Sequence, residues 1–171
     1  MLIPEFPIHI PTIDTKIRAN LSFKIDYLAI LDKPIGLVFV ELKTDSRSRR
    51  EKQDLYLVRA QEIGMARLIA GLRRIYVASS SRDKYENLLG ELSSAGLIVL
   101  KSKGKFEPVP DLPRPEILYI QPSKDASAKN VFSFNEMADL ITNTGDSLSM
   151  RFAQSLREWV AIDPGDRKRV P

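Results

Sequence analysis

The chain has 171 residues, of which 43% are hydrophobic and 28% charged, a composition typical of one soluble globular domain. It contains no cysteine and a single histidine, His9, which excludes disulfides, thiolate zinc sites, cysteine nucleophiles and histidine-rich metal sites. A metal bound here would therefore be a hard cation, magnesium or manganese, held by carboxylate and backbone oxygens.

The amino-terminal segment, MLIPEFPIHIP, does not have the pattern of a secretion signal. It has prolines where a signal peptide needs a helical apolar stretch, and it has no basic leader. No apolar run in the chain is long enough to cross a membrane. We therefore expect a cytoplasmic protein that is not embedded in a membrane.

The first third of the chain predicts two paired strands. Residues 1–13 contain three prolines, which favour an extended or irregular lead-in over a helix. Residues 21–31 alternate and are rich in β-formers, and Asp32-Lys33-Pro34 is a turn signal. Residues 35–42 (IGLVFVEL) are nearly all apolar, which predicts a central strand with both faces covered.

The middle of the chain predicts alternating helices and strands. A helix is expected over 49–72, a strand over 74–79, a helix over 81–94 and a strand over 97–101. A strand, a helix and a strand in succession predict a parallel pair with a right-handed crossover.

The remaining chain predicts a short strand and two helices. Residues 104–115 are a proline-rich connector before the strand EILYIQP, and residues 123–130 are a loop. Ser133 and Glu136 have capping-box spacing and open a helix through Ile141. A last helix is expected over 147–160.

These elements predict an α/β fold with a central mixed sheet flanked by helices. The predicted domains are an α/β core over 1–122, a helical extension packed on it over 123–162, and a disordered tail over 163–171.

The pattern acid–any–Lys occurs three times, as Asp14-Thr15-Lys16, Glu41-Leu42-Lys43 and Asp166-Arg167-Lys168. Only the second ends a buried-type strand and follows a strand that contains an acid, Asp26. Glu41 and Lys43 share a strand face because side chains alternate. A turn centred between Lys33 and Pro34 pairs Leu28 with Phe39 and places Asp26 opposite Glu41.

Two opposed carboxylates repel each other and need compensation. A magnesium or manganese ion bound by Asp26 and Glu41 would provide it, lower the pKa of a bound water and polarise a phosphoryl oxygen. Lys43 could orient the water or stabilise charge that develops on phosphate. The alternative is that Lys43 neutralises one of the acids in an ion-pair cluster, and both interpretations stand at this point.

Asp26, then Glu41-Leu42-Lys43 after a hairpin, then a helix and a strand, resembles the PD-(D/E)XK nuclease superfamily over roughly residues 20–80. The resemblance implies a restriction-endonuclease-like core. It implies that Asp26 and Glu41 bind the metal, that the Leu42 backbone carbonyl is a further ligand, and that Lys43 is the catalytic lysine.

The resemblance extends into the next helix and has two departures. Several members place a glutamine, sometimes with a tyrosine, early in the helix after the lysine. Gln53 and Tyr56 correspond to them, at a slightly different spacing, with Gln53 in a catalytic role and Tyr56 toward nucleic acid. The alternative is a solvated glutamine and a packing tyrosine, and both interpretations stand. The family core usually opens with a helix that often supplies an acid. Here the segment before Asp26 is short and broken by prolines, Glu5 is a poor candidate for that acid, and Ile25 stands where the proline of the nominal motif would be.

A basic cluster follows the acid–lysine pattern. Cations at the start of a helix interact unfavourably with the helix dipole. The cluster therefore favours a role in binding nucleic-acid phosphates over the alternative of a solvated first helical turn. Its members are Arg47, Arg49, Arg50 and Lys52.

Three readings follow. The first is a magnesium-dependent nuclease that acts on DNA, as a homodimer or in a larger complex. The second is a catalytically silent nuclease-fold module that binds nucleic acid or assembles into a defence or repair complex. The third is an unrelated α/β module with an incidental acid–lysine cluster.

Overall fold

The structure of the chain is a computed structural model. It describes residues 1–11, 21–32, 35–43, 51–78, 82–101, 105–122, 130–142 and 147–161. Within that part no helix is long and apolar enough to span a membrane.

Seven strands and five helices make up the described part, and the predicted α/β class is confirmed. In chain order they are β1 (Leu2–Ile10), β2 (Leu21–Asp32), β3 (Ile35–Leu42), α1 (Glu51–Ile63), α2 (Met65–Ala78), α3 (Arg82–Ser94), β4 (Ile98–Leu100), β5 (Phe106–Pro108), β6 (Glu116–Gln121), β7 (Val131–Ser133), α4 (Phe134–Thr142) and α5 (Ser147–Ala161). Five strands form a mixed sheet in the order β1-β2-β3-β6-β7, and β4 and β5 form a separate pair.

The chain divides into two compact units. Unit 1 comprises Met1–Val40 and Lys52–Ile117, and unit 2 comprises Glu41–Glu51 and Leu118–Pro171. The division therefore falls within β3, after the first residue of α1, and within β6. The predicted scheme of a core over 1–122, an extension and a tail divides the chain differently and stays a prediction.

In unit 1 the predicted hairpin of β2 and β3 is confirmed. The strands are antiparallel, and Leu28 pairs with Phe39 as expected; the described register begins with Tyr27 opposite Val40. β1 pairs antiparallel with β2 and lies at the edge of the sheet, and the proline-containing lead-in therefore forms an extended strand over Leu2–Ile10. Pro4 and Pro7 are compatible with that place because an edge strand does not need every N–H for pairing.

In both β1 and β2, the alternation of buried and exposed side chains is interrupted at the same position along the strand pair. Ile3 and Phe6 are buried in β1, and Ile25 and Leu28 are buried in β2, so each strand changes face over a three-residue step. The ladder passes from Pro4 with Tyr27 to Phe6 with Ile25. The level between them holds Glu5, whose φ is +47°, and Asp26. Local breaks of this kind bend a strand and redirect a side chain.

The predicted helix over 49–72 and strand over 74–79 need correction. Two helices, α1 and α2, replace the single helix, and they are separated by Gly64, whose φ of +84° is readily adopted by glycine. α2 runs through Ala78, so the strand over 74–79 is wrong. Its β-forming residues stay helical because α2 buries a stripe that includes Leu68, Ile69 and Leu72.

Helix α2 packs closely on β1. A Cβ built on Gly71 would lie 2.8 Å from the backbone oxygen of His9, a separation that real Cβ atoms do not show. Glycine at this position therefore permits the close approach of helix and strand. The apolar core of unit 1 includes Phe6, Phe39, Leu57 and Met65.

The helix over 81–94 and the strand over 97–101 are confirmed as α3 and β4, but the predicted parallel pairing of β4 is wrong. It pairs antiparallel with β5, which forms inside the proline-rich connector. The guanidinium of Arg73 donates to the Phe106 carbonyl oxygen and lies 5.2 Å from the centre of its ring. The strand that contains the buried Phe106 therefore lies in a segment whose composition predicts no strand.

In unit 2 the strand EILYIQ and both C-terminal helices are confirmed. β6 pairs parallel with β7, Tyr119 beside Val131 and Gln121 beside Ser133. Ser133 and Glu136 form the predicted capping box: the Ser133 hydroxyl accepts from Glu136 N–H at 3.1 Å, and the Glu136 carboxylate accepts from Ser133 N–H at 2.9 Å. The predicted loop over 123–130 and the tail over 163–171 fall outside the described residues, except for Asn130.

Candidate active site

The end of strand β3 carries a buried ion pair. The Lys43 ammonium lies 3.1 Å from Oε1 of Glu41, and each side chain is 5% exposed. Leu42 between them is 41% exposed, so the predicted shared face of Glu41 and Lys43 is confirmed. The acid–lysine pattern therefore forms a compact buried group within unit 2.

Strand β6 supplies the neighbours of this pair. The Lys43 N–H donates to the Ile120 carbonyl oxygen at 2.8 Å. The Lys43 ammonium also lies 5.8 Å from the centre of the Tyr119 ring, within the range of a cation–π interaction. Tyr119 and Gln121 are buried as well.

The backbone hydrogen bond places the end of β3 beside the end of β6, because Lys43 follows the last residue of β3 and Ile120 is the next-to-last residue of β6. The Tyr119 ring lies beside the Lys43 ammonium at the same place. The group therefore lies where β3 and β6 both end, and ligands of open α/β sheets bind outside the carboxyl ends of strands.

The buried polar side chains of the described residues belong to the ends of β3 and β6. Within the described ranges, the buried charged or amide-bearing side chains are those of Glu41, Lys43 and Gln121. Burying charge costs free energy that an ion pair only partly offsets, so such groups mark candidate functional sites. Gln121 and Tyr119 were not predicted from the sequence. The available signal was a glutamine that closes the apolar run EILYIQ directly before a proline.

Asp26 belongs to unit 1, where it lies in β2 at the break in alternation opposite Glu5. The predicted pairing of Asp26 with Glu41 is one step beyond the described pair of Tyr27 and Val40. That pairing stays a prediction, as does the role of the Leu42 backbone carbonyl.

Most residues predicted to contact nucleic acid lie outside the described part. Arg47, Arg49 and Arg50 belong to the segment 44–50, which is not described. Lys52 and Gln53 are in the first turn of α1, and their side chains are not described. The Tyr56 ring lies 5.9 Å from that of Phe23 in a tilted arrangement, a packing contact within unit 1.

The donor chemistry can be compared with the needs of a magnesium ion. No group of three or more histidine, cysteine or acidic residues that could hold a metal occurs among the residues the structure describes. Magnesium is commonly bound by one or two carboxylates, with waters and substrate phosphates completing its shell. Glu41 supplies one carboxylate, which is buried and paired with the Lys43 ammonium.

Comparison of the chain with protein-family models, with curated proteins and with solved structures found no match. The resemblance to PD-(D/E)XK nucleases therefore stays a prediction from the sequence, and a functional proposal depends on the site itself.

Proposed function

We propose that this protein is a magnesium- or manganese-dependent nuclease that hydrolyses phosphodiester bonds in DNA, with Glu41 and Lys43 at its centre. The observation that supports it is the buried Glu41–Lys43 pair at the carboxyl end of β3. A carboxylate that can hold a hard cation and an ammonium that can act on phosphate are the two groups this chemistry needs.

Glu41 would hold the cation, and the role of Asp26 as a second ligand stays a prediction from the sequence. When bound, a divalent cation supplies positive charge toward phosphate and lowers the pKa of a water. Lys43 donates N–H groups toward the negative charge that develops on the phosphate, and the buried surroundings strengthen that interaction. The Leu42 backbone carbonyl and Gln53 keep the supporting roles that the resemblance implies.

A purely structural role explains the burial of the Glu41–Lys43 pair less well than a functional role does. Replacing a buried ion pair with apolar residues of similar volume is often neutral or stabilising. Stability therefore gives little reason to place Glu41, Lys43 and Gln121 together inside an otherwise apolar interior. A function in chemistry or binding supplies that reason.

A second candidate function is a nuclease-like module that binds nucleic acid or assembles into a larger complex without cleaving. The buried Glu41–Lys43 pair supports it as well, because an ammonium and a carboxylate at the end of a strand can bind a ligand without cleaving it.

The test separates loss of function from loss of folding. Wild type is assayed on supercoiled, linear and single-stranded DNA with magnesium and with manganese, beside Glu41→Gln and the double variant Glu41→Leu/Lys43→Met. The double variant replaces both charges with apolar groups of similar size, so it should fold. We expect cleavage to fall at least ~100-fold in both variants.

The matched control is the exposed pair of Lys101 and Glu107, whose double variant Lys101→Met/Glu107→Leu should cleave at the wild-type rate. Isothermal titration with magnesium, comparing wild type with Asp26→Asn, tests the predicted second ligand. Cleavage at the wild-type rate by the folded Glu41→Leu/Lys43→Met variant refutes the nuclease assignment. DNA binding by wild type without cleavage under either metal selects the second candidate.

A further inference from the structure

The Lys43 ammonium has neighbours of different chemistry, among them a carboxylate and an aromatic ring. It is 3.1 Å from the Glu41 carboxylate oxygen and 5.8 Å from the centre of the Tyr119 ring. A lysine side chain has four flexible carbons, so a single ion pair does not determine where its ammonium lies. A second contact from another strand restricts it much further.

We propose that Tyr119 is the positioning residue of Lys43, holding its ammonium beside Glu41 through the face of its ring. This inference deepens the proposed function and rests on it for its effect on cleavage. The ring attracts the cation electrostatically, and burial of both residues strengthens the attraction by excluding water.

The backbone supports this role independently. The hydrogen bond from the Lys43 N–H to the carbonyl of Ile120, the residue after Tyr119, fixes the register of the two strand ends. Tyr119 is in turn paired with Val131 of β7, so strands on both sides restrain its place. The ring is thus part of a rigid element rather than of a loop.

This geometry distinguishes the ring of Tyr119 from its hydroxyl. The attraction comes from the aromatic face, so phenylalanine should preserve it. Methionine fills a comparable space without an aromatic face and should abolish it. Tyr119→Phe and Tyr119→Met therefore form a pair that separates positioning of Lys43 from filling of the core.

The direct measurement is the NMR shift of the Lys43 side-chain methylene protons in the full chain. Protons near the face of a ring are shifted upfield, so we expect an upfield shift in wild type and Tyr119→Phe that is lost in Tyr119→Met. In the cleavage assay, Tyr119→Met should lower kcat about 10-fold with little change in KM. That loss corresponds to an increase of about 1.4 kcal/mol in the activation free energy. Tyr119→Phe should stay close to wild type.

Tyr85→Met is the matched control, because Tyr85 is a buried tyrosine of unit 1 that packs 6.4 Å from the Phe106 ring. It should leave both the Lys43 shift and kcat unchanged. An upfield shift that persists in Tyr119→Met, or wild-type kcat in that variant, overturns the positioning role. If wild type cleaves no substrate, the nuclease proposal fails, and the Lys43 shift alone decides the role of Tyr119.

Discussion

Two lysine–glutamate pairs in this chain have similar chemistry and opposite surroundings. Lys43 and Glu41 in unit 2 are 3.1 Å apart, and each side chain is 5% exposed. Lys101 and Glu107 in unit 1 are 3.4 Å apart, but their side chains are 51% and 62% exposed. Solvent screens the second pair, so its contribution to stability is small, whereas the first has lost its water and depends on its partners. Burial, more than residue type, distinguishes the candidate site from an ordinary surface contact.

The largest expected effect on folding comes from removing one member of the buried pair. Lys43→Met leaves the Glu41 carboxylate buried without its cation, and we expect the free energy of unfolding to fall by about 3–5 kcal/mol. Urea denaturation followed by circular dichroism measures it. A loss similar to that of Lys101→Met would show that the two pairs do not differ in the way that their burial indicates.

Removing both charges should reverse most of that loss. The double variant Glu41→Leu/Lys43→Met contains no uncompensated charge in the pair, so its free energy of unfolding should return to within about 1 kcal/mol of wild type or exceed it. The same denaturation experiment, arranged as a double-mutant cycle, yields the coupling between the two residues. A double variant as unstable as Lys43→Met would mean that stability depends on the charges themselves.

The buried glutamine extends the comparison to a neutral group. Gln121→Leu should lower the free energy of unfolding by about 1–3 kcal/mol, because Gln121 is buried and a buried amide is normally hydrogen-bonded, so that its removal leaves its partner unsatisfied. Gln154 in α5 is the matched control: it is exposed and donates to Glu158 at 2.9 Å. Gln154→Leu should change stability by no more than ~0.5 kcal/mol. Equal effects from the two substitutions would argue against a special role for Gln121.

The smallest effect should come from the exposed pair. Lys101→Met and Glu107→Gln should each change the free energy of unfolding by no more than ~0.5 kcal/mol, and 1 M salt should reduce even that difference. Thermal unfolding at low and high salt measures both effects. A large loss of stability in Lys101→Met that persists in 1 M salt would show that the exposed pair contributes to stability as the buried pair does.

Local patterns account for what was predicted correctly. The β2–β3 register follows from a turn and from alternation within neighbouring segments, and Leu28 does pair with Phe39. The capping box of Ser133 and Glu136 depends on residues three apart, and it forms as predicted. The acid–lysine pattern likewise needs only the geometry of a single strand to place both side chains on one face.

Features that depend on distant partners were missed or misassigned. The segment Arg74–Ala78 has strand-forming residues, yet it continues α2, because packing of the helix overrides local preference. The β4–β5 pairing and the break at Gly64 were likewise not foreseen. No local pattern indicates that Tyr119 lies beside Lys43, since that contact joins strands separated by three helices.

The sequence by itself determined the α/β class, the hairpin register and a lysine beside a glutamate on one strand face, because each follows from the short-range periodicity of the backbone. Only the tertiary structure decided that this pair is buried, that an aromatic ring from β6 lies beside it, and that Asp26 lies where two strands lose their alternation. The reason is physical: burial and strand order depend on segments that meet only when the sheet is assembled, and the separation of those segments in the chain leaves no periodic signal.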